Sequence, residues 1–274
     1  IFVPGKSWWR YSEGRMIYTN FLDEDGGVHA DLTISRIGKD RYRVVTGGAD
    51  GNRDWVTLRN YRDDNGLDAE IKIRTHDIAT LGLWGPQAKN ALGNFIDPTE
   101  IAIENFPFAA AKNLTLNLAE GKKIDVWASR ISYVGESGWE IYLNNDSDEG
   151  LALYDSLLEV GVVPVGIETY ANSRRLEKSF RLQGADLETE YNACESAIER
   201  RLVKEADFHG KAAHLAHREE EPCAMLCTMT IDDLKVSGSM RYPVGNSPII
   251  DPASGEVPVD SKGRRSYATG MSYC

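Results

Sequence analysis

The feature that most constrains the fold is a run of three strand-like segments within residues 15–47, RMIYTNFL, VHADLTISRI and DRYRVVTG. Only the turn signals Asp-Gly-Gly and Gly-Lys-Asp separate them. Connections this short join neighbouring antiparallel strands. Apolar residues at helical spacing predict that a helix follows at about 52–62. The pattern therefore predicts an α+β fold with antiparallel sheets.

The later elements follow the same scheme. Further strands are predicted at AEIKIRT, ATLGLWG, NLTLNL, KKIDVWASRISYV and GWEIYLNN. Helices are predicted from Pro86, from residues 146–148 to about Val160, and over about 167–180. From about residue 220, short strands alternate with Pro- and Gly-rich turns, which predicts a small β-barrel or sandwich. We therefore expect three domains: 1–108, 109–218 and 219–274.

Composition excludes several classes of function. The net charge of −11 argues against nucleic acid and anionic membranes as partners, and no apolar run approaches the roughly 20 residues that span a bilayer. An anionic ligand would need a local cationic patch. The four cysteines are poorly spaced for disulfides, which favours reduced thiols in a reducing compartment. No set of His, Cys and acidic residues has the spacing of a metal site, and no Gly-rich dinucleotide motif is present.

Four strings in fixed order carry a family resemblance. They are GGVHADLTISRI (26–37), LWGPQA (83–88), YVGESGWEIY (133–142) and SRRLEKSFRLQGAD (173–186). Together they resemble the folate-binding T-protein family, the aminomethyltransferase of the glycine cleavage system. Within it they look most like the C-terminal folate domain of dimethylglycine and sarcosine dehydrogenases and oxidases. The resemblance implies two α+β units and a C-terminal β-barrel arranged like a clover, with the family's first strands missing here.

Asp31 is the candidate catalytic residue. Strand alternation places Val28, Ala30 and Leu32 on one face and Asp31 on the other. The pattern alone is also typical of a solvated acid on a sheet surface. The resemblance assigns Asp31 as the acid–base group set against the folate nitrogens, where a carboxylate can take or relay a proton.

Tyr133 and Glu140 are candidate folate-binding residues with the seven-residue spacing of the family's folate contacts. Trp139 and Ile141 are expected to face the core and Glu140 to face away from it. A carboxylate there can accept the ring N–H and amino group at the edge of a pterin. The alternative is an ordinary strand acid and a packing tyrosine.

Arg175 takes the place of the family's arginine in SRRLEK and is the third candidate cofactor-binding residue. The residues themselves leave open that Arg175 pairs with Glu177 or with a buried acid. Arg174, Lys178 and Arg181 have the spacing of one helix face, which is either solvated or receives the glutamate carboxylates of folate. The string YNACESAI (191–198) departs from the family pattern.

The resemblance implies a tetrahydrofolate-dependent transferase that accepts an iminium or formaldehyde unit from oxidative N-demethylation and yields 5,10-methylenetetrahydrofolate. Flavin is then expected only on a partner or missing domain, the partner being an oxidase or dehydrogenase. A cytoplasmic location is expected, or the mitochondrial matrix in a eukaryote. Two alternatives stay open: a folate-dependent O- or S-demethylating methyltransferase, and a non-catalytic docking module of a larger oxidase.

Overall fold

The computed structural model describes residues 12–145, 147–199, 202–230 and 245–269. The predicted N-terminal strands are confirmed as β1 (Met16–Leu22), β2 (Val28–Gly38) and β3 (Arg41–Thr46), which form a sheet in the order β1-β2-β3. β2 and β3 are antiparallel. The helix that follows is α1 (Gly51–Asp64). The α+β class and the antiparallel pairing are therefore confirmed.

The strand predicted at AEIKIRT is wrong. Residues 67–74 have no regular structure and are mostly exposed. The segment alternates two isoleucines with charged residues, and Ile73 remains 48% exposed. Alternation supplies an apolar face only if a sheet or helix covers that face, and nothing in the described part of the chain pairs with this segment.

A second antiparallel sheet contains β4 (Ile78–Trp84), β5 (Ala111–Asn117), β6 (Lys123–Ser129) and β7 (Gly138–Asn144), in the order β4-β7-β6-β5. A 3₁₀ turn at Ala119–Gly121 joins β5 to β6. β7 pairs with both β4 and β6, so it lies in the interior of the sheet.

One face of this sheet is covered by α2 (Ala88–Leu92) and α3 (Glu149–Glu159). The buried residues there include Leu83, Leu116, Ile124, Val126, Trp139, Ile141, Leu153 and Leu157. In α3 the inward residues are Leu153 and Leu157, whereas Leu151 is 63% exposed. The apolar series at Leu151, Tyr154 and Leu158 is thus the outer side of the helix.

The helix predicted at 167–180 is shorter and less regular. A π-helix at Thr169–Arg174 leads into α4 (Arg175–Glu177). The helix stops there because Lys178 leaves helical geometry and Ser179 takes a left-handed conformation, with φ of 56°. A further helix that was not predicted, α5 (Lys211–Glu219), begins after the left-handed Gly210.

The closed C-terminal barrel is not present in the described residues. The ordered ladder there is a pair of two-residue strands, β8 (Ser247–Pro248) and β9 (Tyr267–Ala268). Prolines in this region cannot donate ladder hydrogen bonds, which keeps the strands short. Residues 231–244 and 270–274, part of the predicted barrel, lie outside the described residues.

By its contacts the chain forms two compact units. One contains Thr19–Asp31 and the chain from Ile167 onward, and the other contains Leu32–Gly166, each with a short N-terminal segment. The predicted domain boundaries after residues 108 and 218 stay a prediction, and the four-stranded sheet pairs strands from both sides of residue 108. Within the described ranges, no helix has the length and apolar character needed to cross a membrane.

The orientation of α3 can be tested by paired truncations. Leu153→Ala should lower the free energy of unfolding by about 2–5 kcal/mol, because it leaves a cavity in the core. Leu151→Ala, on the exposed side two residues away, should change it by about 0.5 kcal/mol or less. Urea denaturation followed by circular dichroism measures both. Equal losses would show that the outer side of α3 is also packed.

Candidate functional site

The site in the second unit is built on the outer face of the four-stranded sheet. Trp139 and Ile141 are each 1% exposed and point into the core, as predicted. Because side chains alternate along a strand, Glu140 and Tyr142 lie on the opposite face. A hydrogen bond joins the two side chains: the Tyr142 hydroxyl donates to the Glu140 carboxylate.

Aromatic surface lies beside Glu140. Gly82 is its register partner on β4, and the ring of Trp84 packs directly on Gly82, so that a Cβ there would lie 2.1 Å from the ring. The Trp84 indole N–H donates to the carbonyl of Ile131 at 2.8 Å, which fixes the ring in place. A carboxylate flanked by rings can hold the polar edge of a flat heterocycle while the rings contact its face.

The Glu140 carboxyl has a perturbed pKa. Burial raises the pKa above its ordinary value because it penalises the charged form, and the hydrogen bond from Tyr142 lowers it in part. A half-buried acid whose ionised form is destabilised by burial is a candidate for binding or catalysis.

Tyr133 lies in the loop between β6 and β7 and is half-buried. Gly135 in this loop has a φ of 77°, which favours glycine. Gly138 follows at the start of β7, where a Cβ would lie only 1.9 Å from the carbonyl oxygen of Leu83. The missing side chain at Gly138 thus permits the close approach of β4 and β7.

Asp31 belongs to the other unit and follows an anchored turn. The turn is closed by the Gly27 amide, which donates to the Asp23 carboxylate at 2.7 Å, and Gly26 has a φ of 79°. The Val28 amide then donates to the carbonyl of Tyr191 at 3.1 Å. The predicted alternation along β2 is confirmed, since Val28, Ala30 and Leu32 are buried and Asp31 is half-buried. Asp31 therefore sits on a strand whose start is held rigidly.

Arg175 is 1% exposed and pairs with Asp186, which is the buried acid that the sequence left open. Its Nε donates to the carbonyl of Ala171 at 2.7 Å and its Nη1 to that of Phe180 at 3.2 Å. Asp186 also accepts from the Leu182 amide at 2.9 Å. These bonds use the guanidinium to hold the loop after α4. A folate contact by Arg175 stays a prediction.

The predicted basic helix face does not form, because α4 ends before two of its members. Arg174 pairs with Glu177 at 3.0 Å. Arg181 lies beyond the helix and donates to the carbonyls of Ser196 and Ser179 at 3.0 and 2.7 Å.

The divergent string at 191–198 is firmly anchored. The Asn192 side chain accepts from the amides of Cys194 and Glu195, and the Glu195 carboxylate accepts from the Asn192 amide at 3.1 Å. Glu195, 1% exposed, also pairs with Arg264 at 2.5 Å. This reciprocal pairing, resembling a capping box, needs neither the proline nor the glycine of the family pattern.

Comparisons with known proteins agree on one family. The model of the GCVT N-terminal domain matches residues 6–205. Human mitochondrial dimethylglycine dehydrogenase is 34% identical over 201 residues, which cover 71% of this chain and 22% of that protein. The aminomethyltransferase of Halothermothrix orenii is 28% identical over 218 residues, 77% of this chain and 57% of that protein.

The fold agrees with the sequence relatives. The crystal structure of the glycine cleavage system aminomethyltransferase T from Bartonella henselae aligns with a TM-score of 0.68 at 22% identity. The alignment covers 98% of this chain and 67% of that one. The chain thus has this fold, and it spans only about a fifth of the dimethylglycine dehydrogenases it matches.

The perturbed pKa of Glu140 makes a prediction about stability. The folded state binds a proton at Glu140 more tightly than the unfolded chain does, so this group lowers stability as pH rises through its raised pKa. Glu140→Gln should therefore be more stable than the wild type at pH 8. The gain should shrink as pH falls toward about 4, where both side chains are neutral.

Thermal unfolding at a series of pH values measures this difference. Glu120→Gln, at an exposed position, is the matched control and should show no comparable gain. A pH-independent effect of Glu140→Gln would show that the carboxyl is not destabilised by burial.

Proposed function

Because the chain belongs to the family of the GCVT N-terminal domain, we propose that it is a tetrahydrofolate-dependent one-carbon transferase domain. It would accept an iminium or formaldehyde unit from oxidative N-demethylation and form 5,10-methylenetetrahydrofolate. The observation that carries the proposal is Glu140, a half-buried carboxylate with a raised pKa that accepts a hydrogen bond from the Tyr142 hydroxyl on the outer sheet face.

The residues present fit a pterin. The paired N–H donors at a pterin edge match one carboxylate, and Glu140 provides it. The ring of Trp84 lies beside that carboxylate on Gly82, and Tyr142 lies on its other side. Tyr133 is proposed as a further contact with the ligand. Arg175 is proposed to support binding through the loop that it holds.

The proposed chemistry needs a proton relay. When an iminium carbon is bridged between two folate nitrogens, both N–H protons leave: the departing amine takes one and the other passes to solvent. Asp31 is proposed to take a proton from a folate nitrogen and pass it to the departing amine. Holding both reactants together supplies much of the remaining rate gain.

The oxidation that generates the one-carbon unit is proposed to occur on a separate flavin-containing dehydrogenase domain or partner. The names of the longer relatives support this arrangement, since they are dimethylglycine dehydrogenases of which this chain matches about a fifth. For the same reason an N-methylated glycine is the proposed amine, and the mitochondrial matrix is the proposed compartment in a eukaryote.

The role of Glu140 is tested by affinity. Glu140→Gln should weaken tetrahydrofolate binding by about 1–3 kcal/mol, because a charge-assisted pair becomes a neutral one with a mismatched donor. Titration by intrinsic tryptophan fluorescence measures the affinity. The thermal unfolding experiment above serves as the check that the variant folds. An affinity within twofold of the wild type would remove Glu140 from the pterin site.

The role of Asp31 is tested by product partition. Asp31→Asn should leave folate binding nearly intact and slow methylene transfer by roughly 10²–10⁴-fold, the usual effect of one acid–base group. The assay supplies tetrahydrofolate and a partner dehydrogenase with its N-methylated amine. It follows methylenetetrahydrofolate against free formaldehyde.

Two outcomes would contradict this mechanism. A wild-type partition in Asp31→Asn would remove Asp31 as the proton relay. Equal product with and without the wild-type domain would mean that formaldehyde condenses with folate spontaneously, which favours a docking module.

A further inference from the structure

Arg43 occupies an unusual position on the outer face of the four-stranded sheet. Its side chain, on β3, is half-buried. The guanidinium carbon lies 5.3 Å from the ring centroid of Trp127 and 5.4 Å from that of Tyr142. These two rings are register partners on β6 and β7. Two aromatic side chains thus hold one planar cation, a geometry that suits arginine better than lysine.

Two hydrogen-bond donors in this cluster meet no acceptor among the described residues. The Nη1 of Arg43 and the indole Nε1 of Trp127 are both buried, and neither has a partner in the described part of the chain. Buried donors in folded proteins nearly always meet an acceptor.

Two further arginines lie near Arg43. Burial lowers the pKa of Arg43, and the neighbouring Arg74 and Arg41 lower it further, whereas Tyr142 raises it. Arg74 is paired with Asp77 at 2.6 Å, but no acid pairs with Arg43 among the described residues. The chain has 42 acidic and 31 basic residues, so an unpaired arginine in such a setting is a specific feature.

We propose that Arg43 and the Trp127 indole form a carboxylate-binding site on the sheet face that carries Glu140. A carboxylate only accepts hydrogen bonds, so it can satisfy both orphan donors together. Tyr142 connects the two sites, since its ring contacts Arg43 and its hydroxyl binds Glu140. The face therefore presents an acceptor at one end and donors at the other.

This inference rests on the proposed function for the identity of the ligand. That reaction offers two sources of a carboxylate: the glutamate tail of the folate and the carboxylate of an N-methylated amino acid. Either would supply the anion that the orphan donors lack.

The test compares three probes on wild type and Arg43→Gln by isothermal titration calorimetry. They are 6-methyltetrahydropterin, which lacks the tail, 5-formyltetrahydrofolate, which carries one glutamate, and N,N-dimethylglycine. We expect Arg43→Gln to weaken the probe that carries the bound carboxylate at least tenfold. The affinity for 6-methyltetrahydropterin should stay within twofold.

The two sources give different patterns. A selective loss for 5-formyltetrahydrofolate assigns the site to the folate tail, and a selective loss for dimethylglycine assigns it to the donor. Unchanged affinity for both, or no binding of either by the wild type, overturns the proposal. An equal loss for all three probes also overturns it, since that pattern reports a damaged structure.

Three further variants complete the experiment. Arg74→Gln is the matched control: it removes a nearby exposed cation and should leave every affinity within twofold. Trp127→Phe keeps a ring under Arg43 but removes the orphan N–H, so it should weaken the same probe about fivefold. Arg43→Lys keeps the charge without the planar fork and should recover only part of the loss.

A failure of the proposed function would look different. If neither folate compound binds the wild type but dimethylglycine binds through Arg43, the carboxylate site stands and the folate proposal falls. If the binding of 6-methyltetrahydropterin depends on Glu140 but the binding of no probe depends on Arg43, the folate proposal stands and the carboxylate site falls.

Discussion

The alternation of side chains along β7 is the constraint on which the candidate site depends. Trp139 and Ile141 are packed in the core between the sheet and its two covering helices. Because side chains alternate along a strand, burying these two residues places Glu140 and Tyr142 on the outer face. A shift of one residue in register would place the acid in the core, so the packing that stabilises this unit also positions the groups of the candidate site. Gly138 secures that register by allowing β4 to approach closely.

The outer face carries two groups that cost stability. Glu140 carries a carboxyl whose ionised form is penalised by burial, and Arg43 carries a half-buried cation that meets no acidic partner among the described residues. Neither group would be selected for packing, because apolar residues of similar size would avoid both penalties. Their rings and hydrogen bonds hold them in place instead. Unfavourable groups held rigidly on one face are what a preformed binding site requires.

Local patterns predicted the sheets well and the irregular regions poorly. Tight glycine turns specified the order of β1 to β3, alternation specified the phase of β2, and the Trp-Glu-Ile string correctly placed Glu140 away from the core. The AEIKIRT segment alternates in the same way but has no partner strand in the part of the chain that the structure describes, and pairing is a tertiary property that alternation cannot reveal. The predicted length of the helix over 167–180 was wrong for a local reason. The left-handed Ser179 ends the helix, and no glycine or proline marks that end in the sequence.

The candidate site shows the same division between local and tertiary information. Asp31 and Glu140 could be found because each lies in a short string with a family resemblance and a clear strand phase. The pairing of Arg175 with Asp186 could not be chosen from sequence, because it joins a helix to a loop eleven residues away. Arg43 gave no signal at all: it lies among other arginines on a half-exposed strand, and only the packing of Trp127 and Tyr142 distinguishes it.

The first unit shows how a sequence can diverge while its framework persists. The string at 191–198 lacks the residues expected of the family, yet its backbone amides are bound by Asn192 and Glu195, and Glu195 is tied in turn to Arg264. Tyr191, at the start of the string, accepts the amide of Val28 on its backbone carbonyl and so connects the segment to β2. Because Asp31 lies three residues further along that strand, this network determines where the strand begins. Its effect on Asp31 is positional, so the divergent string need not contact a ligand to influence the chemistry proposed for that carboxylate.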